Sequence, residues 1–204
     1  ALGWPFIQVS GYEADDVIGT LVCEARKKNL GSVIISGDKD LTQLVNEDVI
    51  LVDTMSRHGG TGKIFDIASV VEKFGVAPDK IIDYLTLVGD QSDNIPGVRK
   101  VGAKTAVKLL NEYGSINQIF DSVQNISGAV GKNLQEAKDW IPLGKKLVTI
   151  KTDCPHLDDF IQDMENKLKW LPTDVKKISD IKVKYDLGRI FKDILEPDGS
   201  SVDR

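Results

Sequence analysis

The stretch from Gly89 to Ala106, GDQSDNIPGVRKVGAKTA, constrains the fold more than any other part of the chain. It joins two segments of helical periodicity, Pro78–Val88 and Ala103–Tyr113. Pro96-Gly97 forces a turn, and Gly102 lets backbone approach a ligand closely. Ala103 opens a helix whose first N–H groups lack an intrahelical acceptor and can hold phosphate oxygens. Arg99, Lys100, Lys104 and Lys108 add positive charge, with Lys104 and Lys108 one helical turn apart. The pattern predicts a helix–hairpin–helix that grips a DNA backbone without reading bases. Gly97, Arg99, Lys100, Gly102, Lys104, Thr105 and Lys108 are the expected contacts. An ordinary αα-hairpin with solvated lysines needs none of this order; Gly-Val-x-x-Val-Gly followed by Lys-Thr-Ala is more restrictive.

Upstream the pattern changes. Val17, Ile18, Leu21, Val22 and Ala25 recur at helical spacing within 14–28, and Asn29 and Gly31 stop the helix. Ser32–Ser36 and Val49–Val52 are short β-branched runs that read as buried strands. Helix followed by buried strand predicts an α/β core with a parallel sheet. The loop from Ser56 to Gly62, which holds His58, is polar, Gly-rich and expected to be mobile. From Asp66 the chain reads as mostly helical, over Asp66–Phe74, Pro78–Val88, Ala103–Tyr113, Ser115–Ser122 and Lys132–Leu147. The expected division is 1–65 for the α/β core, 66–155 for a helical lobe and 156–204 for a helical extension ending in a linker-like tail around Glu196–Ser201.

No run approaches the roughly 20 apolar residues of a membrane span. Two cysteines, Cys23 and Cys154, fit neither a disulfide framework nor a zinc spacing, which suits a reducing, cytoplasmic setting. Cys23 lies in the helical pattern and reads as a small core residue. The net charge of −5 argues mildly against nucleic acid, but the charges are segregated along the chain. No G-x-x-x-x-G-K-[ST] loop and no G-x-S-x-G elbow occurs.

Three acidic clusters stand at element ends: Glu13, Asp15 and Asp16 in GYEADD; Asp38 and Asp40 in SGDKD; Asp90 and Asp93 in GDQSDN. Glu13 and Asp16 would share a face if helical, and Asp38 and Asp40 one side of an extended chain beyond a strand's carboxyl end, where α/β sheets bind ligands. Any one cluster alone is better read as capping or turn chemistry. Three together would repel unless a counter-ion bound them. An all-oxygen set with no His or Cys suits Mg²⁺ or Mn²⁺, and two such ions about 4 Å apart support phosphodiester hydrolysis.

At these residues the chain resembles the 5′ nuclease family, which comprises the 5′→3′ exonuclease domain of bacterial DNA polymerase I, the phage 5′ exonucleases and the flap endonucleases. The resemblance rests on GYEADDVIGTL, ISGDKDLTQLV, LVGDQSDNIPGV, VGAKTAVKLL and VTIKTD, runs from about Gly11 to Asp153, and continues more loosely to about Phe191. It implies a Rossmann-like (PIN-like) parallel-sheet core, here incomplete, and a helical lobe carrying the helix–hairpin–helix, of helix–three-turn–helix type. It implies that Glu13, Asp15, Asp16, Asp38 and Asp40 ligate a central metal and that Asp90 and Asp93 complete a second position, with Asp16, Asp38 and Asp40 carrying catalysis. The hairpin would bind downstream duplex and hold a monovalent cation such as K⁺. The substrate would be DNA with a free 5′ end, a nick or a 5′ flap, or an RNA primer on DNA. The reaction would be attack of metal-activated water, in the setting of primer removal and repair at a bacterial nucleoid, with a polymerase domain in the same polypeptide.

The family also has an Asp in a D-G-x-x-x-x-R first strand, a second upstream acidic position and a basic arch. None of these precedes Gly11. The expectation is an N-terminally truncated nuclease that cuts weakly or not at all, with a non-catalytic, structure-specific DNA-binding module as the alternative. A related metal-dependent RNase or a phosphatase fits the hairpin less well.

Overall fold

The computed structural model describes residues 1–55 and 62–187. The segment from Ser56 to Thr61, with His58, and the tail around Glu196–Ser201 lie outside the described residues. The chain forms two compact units: Val9–Pro155, and the first eight residues together with the stretch from His156 onward.

The larger unit begins with α1 (Ala14–Lys27). Asp15 and Asp16 in its first turn and Arg26 and Lys27 in its last complement the helix dipole. Val17, Gly19, Thr20, Val22 and Ala25 form its buried face. Asn29, in the left-handed region at φ 57°, turns the chain into β1 (Ser32–Ile35). β1 pairs in parallel with β2 (Val49–Asp53), Ser32 opposite Val49 and Ile35 opposite Val52. The sheet is mixed rather than parallel, because β3 (Lys63–Phe65) returns antiparallel along β2. A short connection suffices for an antiparallel neighbour, whereas a parallel one needs a crossover. Ile34, Leu51 and Phe65 form one buried row across the three strands. On the opposite face Val33, Ile35 and Ile64 remain exposed.

The Asp66 carboxylate caps α2 (Ile67–Phe74) by accepting from the Ser69 N–H, and Gly75, at φ 75°, ends it. A 3₁₀ turn (Pro78–Lys80) leads into α3 (Ile81–Val88), which packs against α4 (Ala103–Tyr113) and α7 (Ile141–Val148). The buried Asp83 carboxylate ties this lobe together. It accepts from the Ile116 N–H at the start of α5 (Ile116–Asp121) and from the Lys145 ammonium of α7 at 2.8 Å. A single helix over Lys132–Leu147 does not form. There are two, α6 (Gly128–Ala137) and α7, because Pro142 has no N–H to donate and its ring would strike the carbonyl four residues back. Proline is tolerated only in a first turn, and α7 begins there. Cys154, not Cys23, is the buried cysteine; Cys23 is half-buried on α1.

In the smaller unit, α8 (Asp158–Gln162), α9 (Met164–Lys167) and α10 (Val175–Tyr185) bury Leu157, Met164 and Ile178. Trp4 and Trp170 meet edge to face at 5.8 Å, and the Trp170 indole donates to the Leu2 carbonyl. No described helix is long and apolar enough to cross a membrane.

Candidate metal centre

Asp40 of the second acidic cluster meets Asp90 and Asp93 of the third, by turns rather than by the geometry their spacing suggested. After β1 the chain is not extended: the Asp38 N–H donates to Ser36 Oγ, and the Asp40 N–H donates to Asp38 Oδ1 at 2.9 Å. Asp40 thereby starts a 3₁₀ helix (Asp40–Leu44) with its side chain buried. Asp90 ends β4 (Gly89–Asp90), which pairs with β5 (Ile95–Pro96) across a turn holding Asp93. Carboxylate oxygens of Asp40, Asp90 and Asp93 lie within 4.8 Å of one another. Asp40 and Asp90 are buried and Asp93 is exposed.

Glu13 is the residue before α1, with extended backbone, so it does not share a helical face with Asp16. Asp15 is the member of that cluster that feels the others. Burial, then the charges of Asp38, Glu13, Asp16 and Asp93, push its carboxyl up to about 6. Asp16 Oδ1 instead accepts from the backbone N–H of Lys151. Asp38 is exposed, with one oxygen engaged by the Asp40 N–H.

The buried pair differ sharply. Burial, with the negative charges of Asp90, Asp38 and Asp93, raises Asp40 to about 7 despite Lys39. Burial also acts to raise Asp90, but hydrogen bonds from Lys39 and from the Ser92 hydroxyl and N–H outweigh it and bring the group to about 2. The Lys39 ammonium lies 2.7 Å from Asp90 Oδ2 and is itself held above the ordinary lysine value by that bond. Asp40 Oδ1 is buried and has no hydrogen-bond donor among the described residues. An orphaned buried carboxylate oxygen beside two more carboxylates, with no His or Cys in the group, fits a hard divalent cation.

The hairpin divides its glycines between two jobs. A Cβ at Gly97 would sit 2.2 Å from the Val88 carbonyl carbon and oxygen, so Gly97 serves the hairpin's own packing. A Cβ at Gly102 would meet nothing within 4 Å, and Gly102 is exposed at the N-terminus of α4. Buried Val98 and Val101 anchor the loop, and the Trp140 indole donates to the Pro96 carbonyl at 2.7 Å. Arg99, Lys100, Lys104 and Lys108 are exposed, with Lys100 at φ 60°. Half-buried Thr105 lines, with Lys108, Asn125 and Ser127, a cavity of about 280 Å³.

Sequence reasoning passed over Lys39 and Gln43. Lys39 was visible between two acidic residues in SGDKD, but its bond to Asp90 joins segments distant in sequence. The Gln43 amide donates to the Val148 carbonyl and accepts from the Ile150 N–H, and no local signal marks such a clamp.

Residues 1–75 match a family model described as 5′-3′ exonuclease, N-terminal resolvase-like domain, and residues 76–171 one described as 5′-3′ exonuclease, C-terminal SAM fold. The 5′-3′ exonuclease of Aquifex aeolicus is 36% identical over 192 residues, 94% of this chain and 62% of that protein. DNA polymerase I of Caldicellulosiruptor bescii is 38% identical over 193 residues, 94% of this chain but only 22% of that protein. DNA polymerase I of Bacillus subtilis is 43% identical over 150 residues, 72% of this chain and 17% of that protein. Thus the chain spans a minor part of the polymerases and under two thirds of the exonuclease. Among solved structures, T5 5′-exonuclease with bound zinc superposes with a TM-score of 0.68 at 23% identity, over 80% of this chain and 62% of that one. The catalytic core of Rad2 in complex with DNA substrate superposes with a TM-score of 0.55 at 19% identity, over 96% and 65%. At these identities the likeness speaks for the fold: a mixed α/β, PIN-like core followed by a SAM-like helical lobe. With its two successive domains matched over residues 1–171, the chain belongs to the 5′-3′ exonuclease family.

Proposed function

We propose that this chain is the DNA-acting part of a metal-dependent 5′ nuclease, an exonuclease and flap endonuclease that hydrolyses phosphodiesters. The observation that carries this reading is the convergence of Asp40, Asp90 and Asp93 around an orphaned buried oxygen, in a chain that also presents a basic hairpin. Asp40, Asp90 and Asp93 would hold one divalent cation, Mg²⁺ or Mn²⁺, with Asp15 and Asp38 toward a second and Glu13 and Asp16 at its margin. Such cations supply an activated nucleophile and charge neutralisation at the scissile phosphate. The chain's own contribution is to bring carboxylates together, where a divalent cation would favour their ionised form, and to grip the duplex. For the grip, Gly102, Lys104, Thr105 and Lys108 offer helix N–H groups and charge to backbone phosphates, and Arg99 and Lys100 extend the basic strip. A K⁺ ion at the hairpin carbonyls, flap, nicked or primer-bearing DNA as substrate, a polymerase domain in the same polypeptide, and a place at the nucleoid belong to the same proposal. So does the division into a core over 1–65, a lobe over 66–155 and an extension beyond.

The test uses a 5′-labelled flap duplex, with and without Mg²⁺, and Mn²⁺ titration followed by melting. Metal should raise the melting temperature, since it binds only the folded cluster, and Asp90→Asn or Asp38→Asn should shrink that rise. Mg²⁺-dependent release of 5′ product, abolished by Asp40→Asn, supports the nuclease. Tight DNA binding with neither cleavage nor Mn²⁺ uptake moves the assignment to a DNA-binding module, which the exposed basic hairpin favours. A melting curve indifferent to millimolar Mn²⁺ sinks the metal centre.

A further inference from the structure

Both oxygens of Asp90 are already engaged. Oδ1 accepts from the Ser92 N–H at 2.8 Å and from the Ser92 hydroxyl, and Oδ2 from the Lys39 ammonium. The Asp90 side chain is 1% exposed, so nothing from solvent replaces these donors. Oδ1 already accepts twice and Oδ2 keeps one acceptor site, beside the Lys39 ammonium, so a cation coming to Asp90 must either sit against that like charge or drive one of the donors off. The Ser92 N–H is backbone, two residues away and fixed by the turn. Lys39 is different: its side chain is 43% exposed, on a flexible stem that can swing to water at little cost. Asp40 and Asp38 flank it in sequence, so its charge also offsets theirs. Resting on the metal-centre reading above, we infer that Lys39 is a built-in counter-ion: it occupies the Asp90 position while the site lacks metal, keeps the carboxylates together, and is displaced when a divalent cation binds.

Such a residue has two effects of opposite sign. It stabilises the metal-free fold, and it competes with the metal. Removing the charge while keeping the stem should therefore lower the metal-free melting temperature and tighten metal binding, whereas a merely structural contact would weaken both. The experiment measures Mn²⁺ affinity by calorimetry and by the loss of free-ion EPR signal, and melting in EDTA, for the chain and for Lys39→Met, Lys39→Gln and Lys39→Arg. Lys39→Met should bind Mn²⁺ about fivefold or more tightly, the scale of a modest coupling between sites, and should melt lower in EDTA. Saturating Mn²⁺ should close that gap. Lys39→Arg should restore both properties, since it returns the charge. If Lys39→Met fails to fold, Lys39→Gln carries the same expectation, because it keeps a donor without the charge. Mn²⁺ uptake by the unaltered chain with equal or weaker uptake by the neutral variants overturns this inference and leaves the metal centre standing. No uptake by the unaltered chain or by any variant overturns both.

Discussion

The Asp16 carboxylate accepts a hydrogen bond from the Lys151 backbone N–H at 2.8 Å, joining the first turn of α1 to the segment that follows α7. That segment is held at three further points. The Gln43 amide bonds Val148 and Ile150, the Cys154 N–H donates to Thr20 Oγ1, and Gly19 faces Ile150 closely. The helix bearing Asp15 and the 3₁₀ turn headed by Asp40 are thus clamped by one irregular stretch of chain. A methyl at Gly19 would lie 2.6 Å from the Ile150 side chain and 3.0 Å from the Lys151 carbonyl oxygen. Gly19→Ala should cost about 1–2 kcal/mol, the overpacking outweighing the gain in helix propensity. Gln43→Ala should cost about 1–2 kcal/mol by stranding a donor and an acceptor. Each should lower the melting temperature by about 2–8 °C and weaken Mn²⁺ binding. An unchanged melt with unchanged Mn²⁺ affinity would show that the clamp positions nothing.

Without metal, stability should depend on pH in an unusual direction. Asp15 stands at about 6 and Asp40 at about 7, against an ordinary 3.8 that the unfolded chain would show. Between pH 4 and 7 the folded chain holds more protons than the unfolded one, so stability falls as pH rises through that window. Asp90, lowered to about 2, acts oppositely: its contribution is present above pH 4 and is lost as pH falls toward 2. Melting in EDTA should therefore peak near pH 4–5 and decline toward pH 8. Mn²⁺ should flatten the decline, and Asp40→Asn should remove most of it. A metal-free melting temperature that climbs from pH 5 to 8 would contradict the raised carboxyls.

The parts of this chain that were legible in sequence are those fixed by local chemistry. Ala103–Tyr113 appears as α4 with the boundaries its periodicity predicts, because Gly102 and Gly114 bracket it. The hairpin was legible from its Pro and Gly residues, but the turn is not at Pro96-Gly97 as expected: Pro96 lies in β5, and the chain turns at residues 91–94 and again at Arg99-Lys100, because Gly97 is packed against the Val88 carbonyl. The acidic residues could be identified but not arranged, because the convergence of Asp40 with Asp90 depends on a tertiary approach between a 3₁₀ turn and a β-turn. The antiparallel β3 is three residues long and carries too little alternation to notice. Lys39 to Asp90, Lys145 to Asp83 and Gln43 to Ile150 are pairings between distant segments, and propensity carries no information about them.

Two glycines of the hairpin should respond in opposite ways to the same substitution. Gly97→Ala forces a methyl into the Val88 carbonyl and should unfold the hairpin, lowering the melting temperature. Gly102→Ala meets open space at an ordinary φ of −97° and should leave the melt unchanged. If the α4 N-terminus receives a phosphate, Gly102→Ala should nonetheless weaken duplex binding. Lys104→Ala should weaken it equally for all sequences and reduce the slope of log affinity against log salt by about 1. Fluorescence anisotropy across a salt series separates these outcomes. Unaltered binding in both variants would place the DNA contact elsewhere.

The sheet presents a last consequence. Val33, Ile35 and Ile64 are 61%, 69% and 56% exposed, and Ile35 and Ile64 both lie in the row of Val52, one on each side of it. Their neighbours in the next row, Ile34, Leu51 and Phe65, are buried, so the alternation is that of a sheet with two apolar faces, only one of them covered among the described residues. A contiguous uncovered apolar patch favours association with whatever apolar surface is offered. Alone at high concentration, the chain should self-associate and bind a hydrophobic dye. Ile35→Thr combined with Ile64→Thr keeps β-branched residues on the strands, so the fold should persist while the patch loses its apolar character. Sedimentation should then show a more nearly monomeric protein, with reduced dye binding and a melting temperature within a few degrees of the parent. A parent chain that stays monomeric and binds no dye at high concentration would show that this face is covered in solution.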